Sequence, residues 1–273
     1  MSSVRPPAVA GAFYPGEPGA LRDEVDRLLG GAPRDGGGGG GEVPRALIAP
    51  HAGYAYSGPV AASAFRRIAG AGGRLARVVV VGPSHHLAFR GIAAPRVGAF
   101  RTPLGEVPVD RGAVAALAGL PGVVLADEPH RREHAVEVEL PFLQRALGDG
   151  DFALVPLVAG DAADGEVARV LEAFADDPGT LVVVSSDLSH FLPYEAAVVR
   201  DRATAGAVER LEGAAIGPHD ACGHLPVRGW LAVARRRGLG VERLDLRNSG
   251  DTAGDRRSVV GYGAWAFGTA DVR

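Results

Sequence analysis

The sequence predicts an α/β fold in which a mixed, largely parallel central sheet is sandwiched between helices. Two observations carry this. Short apolar runs without alternation, such as Val78-Val79-Val80-Val81 and Leu181-Val182-Val183-Val184, imply strands covered on both faces. Between them lie stretches with apolar residues at helical spacing, so strand and helix take turns along the chain. The elements follow in order. An amphipathic helix carries Leu21, Val25, Leu28 and Leu29. The glycine run at 36–41 has neither the lysine nor the following helix N-terminus of a phosphate cradle, so it reads as a flexible loop. Residues 46–49 form the first clear strand. The next helix is expected to use Ser57 as its N-cap, to place Pro59 in its first turn and to bury Val60, Phe65 and Ile68. The Val78 run is a second strand, and the segment from Phe100 to Leu104 suggests an added hairpin, hence a mixed sheet. Phe152 to Val158 is a third strand, ahead of a helix with Val167, Val170, Leu171 and Phe174 inward. The Leu181 run is a fourth, followed by a long helix from about Glu195 to Leu211. After Cys222 come a helix near Val227 to Arg237 and strands at Val241 to Leu246 and Ser258 to Phe267. Neither a repeat nor a linker interrupts this order, and residues 1–273 read as a single domain.

Composition narrows the function. The 273 residues are 47% hydrophobic and 22% charged, which is globular and long enough to bury a core. Lys+Arg 29 against Asp+Glu 32 leaves no electrostatic footprint for a polyanion, so nucleic acid is not an expected partner. Every basic side chain is arginine, which excludes lysine Schiff bases and the Walker-A loop. The single cysteine, Cys222, permits no intrachain disulfide, and the start MSSVRPPAVAGAF lacks the regions of a signal peptide. No apolar run reaches the roughly 18 residues of a membrane-spanning helix, so no membrane partner and a cytoplasmic location are expected.

In such sheets the ligand crevice lies outside the carboxyl ends of the strands, so the residues that follow each apolar run matter most. The first run ends in Ala49-Pro50-His51-Ala52-Gly53-Tyr54, the second in Gly82-Pro83-Ser84-His85-His86, and the fourth in Ser185-Ser186-Asp187-Leu188-Ser189-His190. Three strands thus deliver imidazoles to one edge of the sheet. Of the other histidines, His130 and His134 lie in EPHRREHAVEVELPF, and His219 and His224 bracket Cys222 in HDACGHLP. Imidazole, thiolate and carboxylate are transition-metal ligands, and an open three-ligand site leaves room for substrate. The residues point to His51, His85 and one of Cys222 or Asp187 as ligands, with His134, His86 and His224 as further cleft candidates. Asp187 and His190 lie three apart, so the carboxylate can orient the imidazole as a general base, although Asp187 also reads as an N-cap. His134 and Glu137 are spaced to share a helix face that Pro141 is expected to bend or end. The turn Asn248-Ser249-Gly250-Asp251 adds polar groups after the penultimate strand. Three uses of the cleft follow: metal-dependent redox chemistry, non-catalytic binding, or hydrolysis with Cys222 as nucleophile and His85 or His190 as base.

The motifs APHAGY at 49–54, GPSHH at 82–86, EHAVEVELPF at 133–142, VVSSDLSH at 183–190 and CGHLP at 222–226 stand in order between GAFYPG and VVGYGAWAF. Together they resemble the Memo family (mediator of ErbB2-driven cell motility), whose bacterial and archaeal members are labelled AmmeMemoRadiSam system protein B. The resemblance implies a fold similar to the class III extradiol dioxygenases, whose iron sits on two histidines and a glutamate. The matching ligand positions are His51 and His85, with Cys222 where those enzymes have the carboxylate; the base position matches His190, with Asp187 beside it. The implied cofactor is one transition-metal ion, Fe(II) or Cu, with Zn also suited to a thiolate. Two roles are implied. One is a non-heme, dioxygenase-like oxidoreductase; the other is a metal-, ligand- or peptide-binding protein serving a radical-SAM-associated modification system. The expected partners are a small molecule or peptide and a radical-SAM protein of that system.

Overall fold

The structure, a computed structural model, describes residues 3–33, 42–148 and 152–269; the glycine loop expected at 36–41 lies outside them. In chain order the strands are β1 (Val4–Arg5), β2 (Ala46–Ala49), β3 (Arg77–Pro83), β4 (Ile92–Ala94), β5 (Ala99–Thr102) and β6 (Gly105–Pro108). They continue as β7 (Val123–Leu125), β8 (Ala153–Ala159), β9 (Thr180–Ser185), β10 (His190–Leu192), β11 (Leu239–Asn248) and β12 (Val259–Thr269). The helices are α1 (Pro18–Gly31), α2 (Tyr54–Phe65), α3 (Arg111–Leu117), α4 (Glu128–Arg131), α5 (Leu140–Ala146), α6 (Asp164–Glu172), α7 (Tyr194–Glu209), α8 (His224–Arg236) and α9 (Ser249–Thr252).

The unbroken apolar runs form the centre of the main sheet, whose order is β10-β12-β2-β9-β3-β8-β4-β7, with β11 also on β12. Strands β2, β9, β3 and β8 are parallel, with Leu47 opposite Val183 and Val79 opposite Val182. Residues 78–81 and 181–184 are at most 1% exposed, which is why their sequence shows no alternation. Helix α2, with α1 and α5 against it, packs on β2 and β12, while α8, with α6 against it, packs on β3 and β9. The fold is therefore mixed α/β with a mostly parallel sheet flanked by helices. Its mixed character comes from β12, antiparallel to β2, and from β4, antiparallel to β8. The expected hairpin does form as β5–β6, but it joins β1 in a separate three-stranded sheet. Among the described residues no helix is long and apolar enough to cross a membrane.

Two local expectations are corrected. Ser57 does not cap α2: the helix already starts after Gly53, whose carbonyl accepts from the Ser57 N–H at 3.1 Å. The Ser57 hydroxyl donates instead to the Ala52 carbonyl, and Pro59 lies inside the helix. Pro141 does not end a helix; it sits in the first turn of α5, where a missing N–H costs nothing.

The N-terminal segment is strapped across the region before α5. Arg5, only 4% exposed, donates from Nε to the His130 carbonyl at 3.0 Å and from Nη2 to the Glu133 carbonyl at 2.6 Å, and it pairs with Glu137. Glu137 also accepts from the N–H groups of Ala8 and Val9 and from the Tyr14 hydroxyl. This strap brings the Phe13 ring to 4.9 Å from that of His134, next to the carboxyl ends of the parallel strands.

Candidate metal centre

Strands β2, β9 and β3 are neighbours, and each releases its chain at the same edge of the sheet. The residue two positions beyond each strand is His51, Asp187 and His85, respectively. Asp187 ties these turns together: its Oδ1 accepts from the N–H of His51 at 2.8 Å and of Ala52 at 3.3 Å, and its carbonyl accepts from the Cys222 N–H at 3.2 Å. Gly223 lets the Cys222 turn approach this edge, because a Cβ there would lie 2.7 Å from Ser186 Oγ and 2.8 Å from the Ser185 carbonyl. Cys222 Sγ consequently sits 3.3 Å from His51 Nε2. One donor atom each from His51, His85 and Cys222 falls within 4.8 Å of the others.

Each donor is set by its surroundings. Burial pushes the His51 pKa down to about 3, with the His85 imidazole adding to this, so His51 is neutral at ordinary pH. Its Nδ1 is 2.7 Å from Ser185 Oγ, which leaves Nε2 facing the sulfur. Burial pushes the Cys222 thiol up, and the Asp187 carboxylate reinforces it, so the protonated sulfur is favoured. His85 is held by Glu133, a residue that sequence reasoning missed. Glu133 Oε2 accepts from the His85 N–H at 2.6 Å, and Oε1 from His85 Nδ1 at 2.8 Å and from the His134 and Ala135 N–H groups at 2.9 Å. Burial alone would raise the Glu133 pKa, but the His85 ring and these N–H groups outweigh it and hold the carboxyl at about 2. Glu133 with His85 and His134 is also a group of potential ligands, yet both of its oxygens are occupied by N–H donors, so it acts as a tether. No spacing signal pointed to it, since it lies 48 residues from the histidine it orients.

The other sequence candidates distribute around this trio. His134, Asp187 and His190 line a cleft of about 490 Å³ together with Phe13, Tyr56 and Tyr262. The His134 ring stacks on His85 at 4.5 Å and meets His51 edge-on at 5.4 Å; burial, with His51 beside it, lowers its pKa to about 4. His190 donates from Nδ1 to the Leu188 carbonyl at 2.8 Å, so the orienting contact expected from Asp187 comes from backbone instead. His86 is exposed, with its ring 5.9 Å from that of His134, and is not one of the three clustered donors. His224 starts α8 and lines a second cavity of about 210 Å³ that also touches Cys222, Leu87 and Phe89. Glu137 does not share a face with His134; it is fully buried against Arg5 and Tyr14. His219 is exposed, and His130 is buried with Nε2 on the Ala93 carbonyl. The expected polar turn at 248–251 is the start of the short helix α9, with Asn248 as its N-cap and Ser249 in the cleft wall.

Comparison with known proteins matches the chain to others in fold and sequence. An uncharacterized protein from Escherichia coli K12, JW3007, has a similar fold in its crystal structure, with a TM-score of 0.52 over 80% of this chain and 98% of that one at 15% identity. A MEMO1 family protein of Aeropyrum pernix is 37% identical over 96% of this chain and 98% of its own length. One from Methanopyrus kandleri is 36% identical over 96% and 98%, and one from Aquifex aeolicus 34% over 95% and 97%. The family model described as Memo-like protein matches residues 5–266, and the chain belongs to that family.

Proposed function

We propose that this protein holds one redox-active transition-metal ion, iron or copper, on His51, His85 and Cys222 and acts as an oxidoreductase on a small molecule in the adjoining cleft. The support is the convergence of three donor atoms within 4.8 Å, two from the turns that follow β2 and β3 and one from the turn ahead of α8. Their chemistry fits an ion: two imidazoles and one sulfur suit iron, copper or zinc, and the other ring nitrogen of each histidine is occupied by Ser185 or Glu133. The ion would supply Lewis acidity and one-electron redox capacity to a bound substrate.

The remaining chemistry belongs to the chain. His190 donates a hydrogen bond from Nδ1–H to the Leu188 carbonyl, so its Nε2 lone pair is the one placed to take a proton from a hydroxyl in the cleft. Asp187 lines the same cleft; burial raises its pKa, while the neighbouring His190 ring works the other way, and its carboxyl group is placed to balance positive charge that develops in the cleft. Phe13, Tyr56 and Tyr262 provide flat apolar walls. Hydrolysis through a free Cys222 thiolate is disfavoured, because burial keeps the sulfur protonated.

The test is oxygen consumption by protein loaded with iron or copper, across phenols and simple reductants. Turnover that falls about 100-fold or more in His190→Ala, with metal content unchanged, is expected for a general base. No oxygen consumed and no reduced oxygen species formed with any of them would overturn the catalytic reading.

A further inference from the structure

Ser185 sits behind the metal-facing side of His51 with three close partners: His51 Nδ1 at 2.7 Å, the Ala135 carbonyl at 2.6 Å and Glu139 Oε1 at 2.8 Å. A hydroxyl has one proton to give and two lone pairs to receive. The Ala135 carbonyl can only accept, so it takes the Ser185 proton. Ser185 Oγ must then accept from both other partners, which places one proton on His51 Nδ1 and one on Glu139. With an ionised Glu139, one of the two oxygen–oxygen contacts would hold no proton. The surroundings agree. Glu139 is fully buried, and burial drives its pKa well above the usual carboxylate range. Its Oε2 makes no hydrogen bond among the described residues, an omission cheaper for a neutral acid than for an anion.

We propose that Glu139 is a positioning residue of the metal centre: as a neutral carboxylic acid it donates to Ser185, makes Ser185 the acceptor for His51 Nδ1–H, and so reserves His51 Nε2 for the ion. This rests on the reading of His51 as a ligand, but its first consequence can be measured without metal. If Ser185 turned its proton toward His51, the imidazole would carry its own on Nε2, pointing at Cys222 and blocking the ligand position.

The test is the tautomer of His51 by ¹⁵N NMR of the metal-free protein, beside the affinity for Zn(II) in competition with a chromophoric chelator. The wild type is expected to show a single Nδ1–H tautomer. Glu139→Gln, whose amide N–H can donate to Ser185, should keep it. Glu139→Met, which fills the space without a donor, and Ser185→Ala should both populate the Nε2–H form and lose about 10-fold or more in affinity. A wild-type His51 protonated on Nε2 would overturn the proposal. So would Glu139→Met and Ser185→Ala proteins with the wild-type tautomer and affinity, and Ser185→Ala decides alone if Glu139→Met does not fold. Wild-type protein with the Nδ1–H tautomer but no zinc uptake would refute the metal reading and, with it, the role of Glu139 at a metal centre.

Discussion

Gly223→Ala tests whether close packing beside Cys222 builds the ligand cluster. The backbone there has φ −89°, which any residue adopts, so the change acts through space alone. The new Cβ would lie 2.8 Å from the Ser185 carbonyl and 2.7 Å from Ser186 Oγ, against the 3.4 Å or more of ordinary contact. The Cys222 turn must therefore retreat by roughly 0.6 Å, three times the ~0.2 Å that a metal site tolerates in its ligand distances. The hydrogen bonds of the Gly223 N–H to Ser186 Oγ at 2.9 Å and of the Cys222 N–H to the Asp187 carbonyl at 3.2 Å would stretch with it. Overpacking of this kind costs about 1–3 kcal/mol, so the protein should still fold. Zinc affinity, read by competition with a chromophoric chelator, should fall by about 10- to 100-fold. Gly30→Ala, where a Cβ meets nothing within 4 Å, is the control and should leave affinity unchanged. A folded Gly223→Ala protein with wild-type affinity would refute the claim that this close approach sets the sulfur.

Other perturbations probe separate parts of the account. Glu133→Gln places an amide NH2 against N–H donors whichever way it turns, so His85 should lose its tether and metal affinity should drop about 10- to 100-fold in the same competition assay. Arg5→Met removes the guanidinium partner of the fully buried Glu137, and urea unfolding should show a loss of about 3–5 kcal/mol; a loss below about 1 kcal/mol would mean that this ion pair does not hold the strap. His130 offers a pH test. Burial depresses its pKa to about 4, so between about pH 4 and 6.5 the unfolded chain binds the extra proton. Its contribution is complete above pH 6.5 and is lost as pH falls toward 4, by on the order of 3 kcal/mol. Metal-free wild type should therefore lose more stability on acidification than His130→Gln, a difference in which the other titrating groups cancel; parallel profiles would contradict a buried neutral imidazole.

The central strands were legible because burial on both faces leaves unbroken runs such as Val78–Val81, and the rule that ligands sit beyond strand ends led directly to His51 and His85. Shorter edge strands were not. Strands β4, β7 and β10 have three residues each, too few for a period to register, and β10 is half-exposed. Ser57 and Pro59 mimicked a helix start, but the chain turns into α2 at Gly53, where Tyr54 N–H meets the Phe13 carbonyl, a contact invisible in local sequence. Glu133, Ser185 and Glu139 were missed for the same reason. Glu133 holds His85, Ser185 meets His51 and Glu139 meets Ser185, and no motif spacing encodes hydrogen bonds across 48, 134 or 46 residues. Glu137 was misplaced because helical spacing from His134 looked meaningful, whereas its partner is Arg5, 132 residues away.

The most direct measurement is the metal content, by mass spectrometry, of protein purified without chelator or nickel resin, beside His51→Ala, His85→Ala and Cys222→Ala. The account predicts about one iron or copper ion per wild-type chain and its loss in all three variants, with circular dichroism unchanged. A wild-type protein that takes up no ion even after loading, or variants that keep theirs, would contradict it.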